Sequence, residues 1–236
     1  MGAQWKAKGK LDAANARGKI FSKLAKDLIL AAKGGADLTS NAKLRIAVDA
    51  AKKHSLLRDT IERCIKKGAG LLDDTVHYDT VVYEGFGPHR VPVIVECLTD
   101  NKNRTATAVR ILFRKGQLGN SGSVSWDFRH LGFIEATREP SAAGANADAE
   151  TAAIEAGAQD LEPADDGATR FLTEPADLDT VTKALTALGW HVTSSNLGWK
   201  PKNPVALDDA ARTEVEAWLA EVDSDDDVQN LYVGLD

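Results

Sequence analysis

The hydrophobic period of this chain changes once, near Gly70, and that change constrains its architecture more than any other feature. Before it, apolar residues recur at helical spacing. Within Arg17–Lys33, Ile20, Phe21, Leu24, Leu28 and Ala31 share one helix face, and Lys19, Lys23, Lys26 and Lys33 share the opposite one. Gly34-Gly35 supply a left-handed stop. Ser40 is the expected N-cap of a second helix with Leu44, Ile46, Val48 and Ala51 on its inner side. Asp59-Thr60-Ile61-Glu62 has capping-box spacing and opens a third helix carrying Ile61, Cys64 and Ile65, which ends at Lys66-Lys67-Gly68.

After Gly70 the pattern turns to strands. Thr80–Glu84 and Val91–Leu98 are rich in β-branched residues and are joined by a Gly85-Phe86-Gly87-Pro88 turn, with Pro92 at a first or edge position. Residues 103–115 read as a helix with Ala106, Val109, Leu112 and Phe113 inward, 116–122 as a loop and 123–128 as a further strand. A second αβ pattern follows: strand 132–137, a low-complexity loop at 140–146, helix 148–157, strand 159–162, an acidic turn at 165–167, strand 169–173, helix 176–188 and strand 191–197. That order is βαββαβ, the ferredoxin-like split. The tail adds a helix near 208–222 (Ala211, Val215, Trp218, Leu219, Val222 inward) and a strand at 228–233. The 80–128 segment supplies only ββαβ and the tail supplies the missing αβ. The expected fold is therefore α+β: a three-helix basic domain (1–73), a discontinuous α/β domain (74–130 with 205–236), and a ferredoxin-like domain (131–204) inserted in it.

Charge is segregated along the same boundary. Residues 1–70 hold 16 Lys and Arg against 6 Asp and Glu, whereas the whole chain has a formal net charge of −6. A basic first third on an acidic body is the electrostatic footprint of a polyanion-binding segment. The chain is long enough for two or three domains. The start has no apolar segment of a secretory signal, Gly2 lacks the Ser or Thr that myristoylation requires at position 6, and no apolar run approaches a membrane span. Cys64 and Cys97 are isolated among apolar neighbours and read as buried thiols in a reducing compartment, so the expected location is the cytoplasm.

Catalytic motifs are missing. Gly85–Pro88 lacks phosphate-loop spacing and does not open a helix. The five histidines show no HxxxH or HxH spacing, and there is no GxSxG, Cys/His pairing or carboxylate dyad. Asp225-Asp226-Asp227 reads as a solvated loop before a strand rather than a cation site. No enzyme, metal or cofactor is expected. Asn101-Lys102-Asn103-Arg104-Thr105 lies between a strand and a helix, where amides and a guanidinium converge on an anion or simply cap the helix. Trp126, Trp190, Trp199 and Trp218 read as core, and Trp5, in a basic arm, as the stacking candidate.

Arg17–Leu24, Thr60–Gly68, Tyr83–Pro88, Val95–Thr105 and Gly122–Trp126, in that order, resemble the YebC/PmpR family over essentially the whole chain. The resemblance implies three domains, the third inserted in the second, and a non-enzymatic regulator of gene expression. Bacterial members are described as transcriptional regulators that bind DNA; a mitochondrial relative activates translation of a cytochrome oxidase subunit, and bacterial members are linked to the ribosome and relief of stalling at proline-rich sequences. Many members begin Gly-His-Ser-Lys-Trp, whereas this chain has Gly2-Ala3-Gln4-Trp5-Lys6, a divergent N-terminal subgroup.

Two readings follow. One is a DNA-binding regulator in which Trp5, Lys6, Lys8, Lys10, Arg17, Lys19, Lys23, Lys26, Lys66, Lys67, Asn103 and Arg104 form the nucleic-acid surface, with phosphate contact dominating base readout. The other is a ribosome-associated translation factor that recognises ribosomal RNA by shape, favoured by the lack of a helix-turn-helix signature. A metabolite-sensing role for 132–200 rests on fold analogy alone. A monomer is expected.

Overall fold

The computed structural model describes residues 4–72, 77–138, 148–164 and 167–236, with side chains from residue 17 onward. The loop predicted at 140–146 and most of the acidic turn at 165–167 lie outside the described residues. Three helices come first: α1 (Gln4–Ala32), α2 (Ala42–Lys53) and α3 (Arg58–Gly68). Leu28, Ile29 and Ala32 of α1 meet Leu44, Val48 and Ala51 of α2 and Ile61 and Cys64 of α3 in one buried cluster. At the α1–α3 crossing the backbones come close: a Cβ on Gly68 would strike the Ile29 carbonyl and the Ala32 methyl.

Several helix boundaries depart from their predicted signals. The first twelve or so residues, read as an arm or a frayed helix, continue α1 back to Gln4, in keeping with a segment of Ala, Lys, Gln and Leu that contains no proline. Asn41, not Ser40, caps α2, accepting from the Leu44 amide at 3.0 Å, while the Ser40 hydroxyl turns back to Asp37. The 59–62 box does not form: Leu57 precedes α3 without a side-chain cap, and Glu62 instead pairs with Arg58 at 2.8 Å. The buried stripe of α1 is also turned from the predicted one. Ile20 is exposed, and Phe21, Ala25, Leu28, Ile29 and Ala32 pack inward, because α1 is contacted on a second side as well.

The first sheet has four antiparallel strands. β1 (Asp79–Phe86) and β2 (Pro92–Thr99) form a hairpin, with β3 (Gln117–Leu118) on the outer side of β1. Between them in sequence runs α4 (Lys102–Leu112), followed by a 3₁₀ turn at Phe113–Lys115. The segment predicted as a strand at 123–128 is instead a loop and a 3₁₀ turn at Ser125–Asp127.

Phe128 already belongs to β4 (Phe128–Arg138), first strand of the second sheet, which continues through α5 (Ala149–Ala156), β5 (Asp160–Pro163), β6 (Thr169–Thr173), α6 (Leu178–Ala187) and β7 (Trp190–Pro201). The spatial order β5-β6-β4-β7, all antiparallel, is that of the split βαββαβ unit. The chain then forms α7 (Asp209–Asp223) and returns to the first sheet as β8 (Val228–Val233), paired with β2 to give the order β3-β1-β2-β8.

Helices α4 and α7 cover one face of the first sheet. Val93, Val95 and Cys97 of β2 meet Val109, Phe113, Val215, Trp218 and Val222 there, with the Trp218 indole donating to the Leu112 carbonyl at 2.8 Å. The opposite face holds Ile94, Val124 and Phe128, flanked by Phe86, Trp199 and Tyr232 from both sheets. A third cluster around Ile134, Phe171, Leu185 and Trp190 fills the second sheet. Both cysteines are buried free thiols.

Candidate nucleic-acid interface

The lysine stripe of α1 meets an anion, and the anion is part of the same chain. Lys23 donates to the Asp223 carboxylate at 2.6 Å, at the end of α7. Lys26 reaches the Leu98 carbonyl at 2.9 Å, the Asp226 carbonyl at 2.5 Å and the Asp227 carboxylate at 3.5 Å. Lys33 donates to the Tyr78 carbonyl at 3.4 Å. Asp27, between them, accepts from Gln229 of β8 at 2.7 Å. Burial pushes the Asp27 carboxyl up to about 6 despite that hydrogen bond and the nearby Lys23.

The Asn101–Thr105 segment, read as an anion site or simply a helix cap, caps the helix and holds an anion with its side chains. Asn101 caps α4, accepting from the Arg104 amide at 3.1 Å. Arg104 grips both oxygens of Asp227 at 3.0 and 2.9 Å and also pairs with Asp100 at 2.9 Å. Thr105 donates to Asp227 at 2.8 Å. Burial works against an ionised Asp227, but the hydrogen bonds from Arg104 and Thr105 and the charges of Lys26 and Arg104 outweigh it and hold the carboxyl below its ordinary range. The Asp225–Asp227 run is thus no solvated loop at its last residue: Asp227 is buried and joins α1, α4 and β8. Its partners lie 122 to 201 residues away in sequence, which is why composition alone made it look solvated.

The other predicted residues are placed differently. Arg17 is exposed, its guanidinium over the Phe21 ring at 5.2 Å, and Lys19 is partly exposed one turn before the packed part of α1. Lys66 and Lys67 sit in the last turn of α3. Asn103 is exposed in the first turn of α4, its carbonyl accepting from Thr107. The side chains of Trp5, Lys6, Lys8 and Lys10 lie outside the described residues; their backbone belongs to α1. The structure therefore draws Lys23, Lys26 and Arg104 together around one acidic end and leaves Arg17, Lys19 and Lys66 apart from it.

Sequence reasoning passed over Trp126, expected in the core. It is 67% exposed, on a loop organised by a buried carboxylate. Glu84 accepts from the amides of Gly122, Val124 and Ser125 at 2.8, 3.0 and 2.9 Å. Burial opposes its charge, but the three amides prevail and hold the carboxyl below its ordinary range. A charged residue alternating with valine and tyrosine on β1, opposite a Gly/Ser loop, was the available signal.

Among the described residues no group of His, Cys, Asp and Glu is placed to hold a metal ion, and no helix is long and apolar enough to cross a membrane.

Two family models cover nearly the whole chain: the TACO1/YebC protein N-terminal domain over residues 2–71, and the TACO1/YebC second and third domain over 78–235. A "probable transcriptional regulatory protein" of Polaromonas is 61% identical, covering 100% of this chain and 99% of its own length. One of Pseudomonas fluorescens is 60% identical with the same coverage. The crystal structure of a conserved hypothetical protein from Aquifex aeolicus is similar with a TM-score of 0.77 at 36% identity, covering 93% of this chain and 90% of that one. With three N-terminal helices, two four-stranded sheets and both family models matched in order, this chain belongs to the TACO1/YebC (YebC/PmpR) family.

Proposed function

We propose that this chain is a non-enzymatic, nucleic-acid-binding regulator of gene expression that acts in the cytoplasm as a monomer and contacts DNA through its basic N-terminal domain. One observation carries this reading. Helix α1 runs from Gln4; among its described side chains, those from residue 17, the first fully buried one is Leu28, with Arg17 and Lys19 ahead of it, and Lys6, Lys8 and Lys10 lie earlier in the same helix. A helix segment this rich in lysine is suited to phosphate contact. The name of the curated relatives, "probable transcriptional regulatory protein", agrees with it. Lys66 and Lys67, at the end of α3, extend the surface, with Trp5 a stacking residue; Lys23, Lys26, Asn103 and Arg104 stand at the docked end.

A second reading, a ribosome-associated translation factor, is favoured by α3. It follows α2 after a short turn, as a recognition helix would, but in its first two turns Asp59 and Glu62 offset Arg58 and Arg63, leaving no net positive charge to meet phosphate, and its Ile61 and Cys64 are buried. Backbone and shape recognition need no such helix.

In-cell ultraviolet crosslinking with sequencing of the attached nucleic acid separates the two, run beside a variant with Lys6, Lys8 and Lys10 changed to Glu. Promoter DNA at a few loci, lost in the variant, supports the first reading. A discrete ribosomal RNA site, lost in the variant, supports the second. Recovery unchanged in the variant overturns the role of the N-terminal helix in both.

A further inference from the structure

An indole left in water forgoes one of the largest burial gains a side chain offers, so the setting of Trp126 calls for a reason. The ring is not on a loose tip. Its Nε1 donates to the Ser123 carbonyl at 3.0 Å, and the residues on either side of it are anchored: Val124 and Phe128 are buried against Ile94. The loop is pinned from below by the three amides on the Glu84 carboxylate, and the Gly119 amide donates to the Glu84 carbonyl at 2.8 Å. A rigid, exposed ring loses little entropy when something stacks on it.

The surroundings are polar and carry cations. Asn120, Ser121, Lys202 and Asn203 are exposed, and Asn203 satisfies Asp127 at 2.9 Å. Lys202 donates to the Trp126 carbonyl at 2.6 Å, which holds its ammonium beside the loop. Arg90 lies over the Phe86 ring at 5.5 Å, and Phe86 packs in the same cluster as Val124 and Phe128. His89 and Arg90 are successive non-glycine residues at φ 56° and 61°, a costly backbone that projects this guanidinium at the end of the β1–β2 hairpin. Among the described residues no carboxylate forms an ion pair with Arg90. The centre of a protein-docking patch is depleted of charge, whereas Trp126 stands beside the Lys202 ammonium; an aromatic among small polar residues and cations suits a flat, anionic ligand instead.

We propose that Trp126 is a stacking platform for an unpaired base of a single-stranded nucleic acid, with Arg90 and Lys202 taking its neighbouring phosphates. The platform rests on the nucleic-acid reading above and adds to it a second contact, on the α/β body, that selects unpaired strands. Paired bases are already stacked on one another and leave no face for the indole, so duplex binding runs through the N-terminal cations alone.

The test is fluorescence anisotropy of the full chain with three labelled probes at one salt concentration: a twelve-nucleotide uridine RNA, the thymidine DNA equivalent, and a twelve-base-pair duplex. Trp126→Ala is expected to bind both single strands about tenfold more weakly and the duplex almost unchanged, while Trp126→Phe, which keeps a ring, stays close to the parent. Tighter parent binding of the uridine strand identifies RNA as the source of the base, and of the thymidine strand, DNA. A Trp126→Ala variant that binds single strands as tightly as the parent, or that loses duplex affinity equally, overturns the platform while the proposed function stands. A parent that binds none of the probes overturns both.

Discussion

Arg104 of α4 grips both carboxylate oxygens of Asp227, at 3.0 and 2.9 Å, across 123 residues of sequence. The same carboxylate accepts from Thr105 and pairs with Lys26 of α1, so one buried anion joins the helical domain to the first sheet. Asp227→Ala strands these partners and is expected to cost about 2–4 kcal/mol, read by denaturant unfolding. The folded carboxyl lies below its ordinary value of 3.8, so its contribution is complete above that value and is lost as pH falls through the lower folded value. The difference between parent and Asp227→Ala should therefore shrink on strong acidification. An Asp227→Ala variant as stable as the parent at pH 7 removes the role assigned to this carboxylate.

Asp27 has the opposite sign. Its folded carboxyl is raised to about 6 from 3.8, chiefly by burial, so the folded state holds a proton that the unfolded chain releases between those values. Stability is expected to fall as pH rises from about 4 to 6. Asp27→Asn, which keeps a polar partner for Gln229, should stabilise the protein at pH 7 by about 1–3 kcal/mol and do little at pH 4. Thermal melts of parent and variant at the two values check this, and equal gains at both would remove the titration as the cause.

Gly68 marks a close approach of α3 to α1. Gly68→Ala places a methyl against the Ile29 carbonyl and the Ala32 side chain, neither of which can swing away. The helices must separate, at a cost of about 1–3 kcal/mol. Circular dichroism melts should show the loss even though alanine is the better helix former; a higher melting temperature would refute the close crossing.

The salt dependence of nucleic-acid binding counts the phosphates engaged. If Lys6, Lys8, Lys10, Arg17, Lys19 and Lys66 each contact one on B-DNA, log affinity against log salt should have a slope of about −5. Lys6→Glu with Lys8→Glu and Lys10→Glu should flatten it. Lys23→Glu should chiefly weaken docking to Asp223 and register in stability instead. A slope near zero in the parent removes the electrostatic basis of binding.

Local pattern carried much of the architecture. The βαββαβ order of 132–197 was legible because each element has its own period and its own turn residues, and the sheet order follows from that connectivity. The basic face of α1 was legible as a face, but its partner was not: Lys23 and Lys26 bind groups about 200 residues away, which no window of sequence contains. The 123–128 segment misled for the same reason. Alternating Val, Ser and Trp read as a strand, yet the amides of Val124 and Ser125 go to the Glu84 side chain rather than to a neighbouring backbone. Trp126, counted with the core, was thereby turned to solvent.

The second sheet is entered through β4 and left through β7, which run side by side over their whole length, from Phe128 opposite Pro201 to Arg138 opposite Trp190. A unit hung on a single thread swivels about any axis. One hung on two hydrogen-bonded strands, with Tyr232 of the first sheet donating to the Leu197 carbonyl and Lys43 of α2 facing Asp179 of α6, resists twisting. A load placed on the β5–β6 edge of the second sheet is thus delivered as torque to Phe128 and Trp199, at the base of the Trp126 loop.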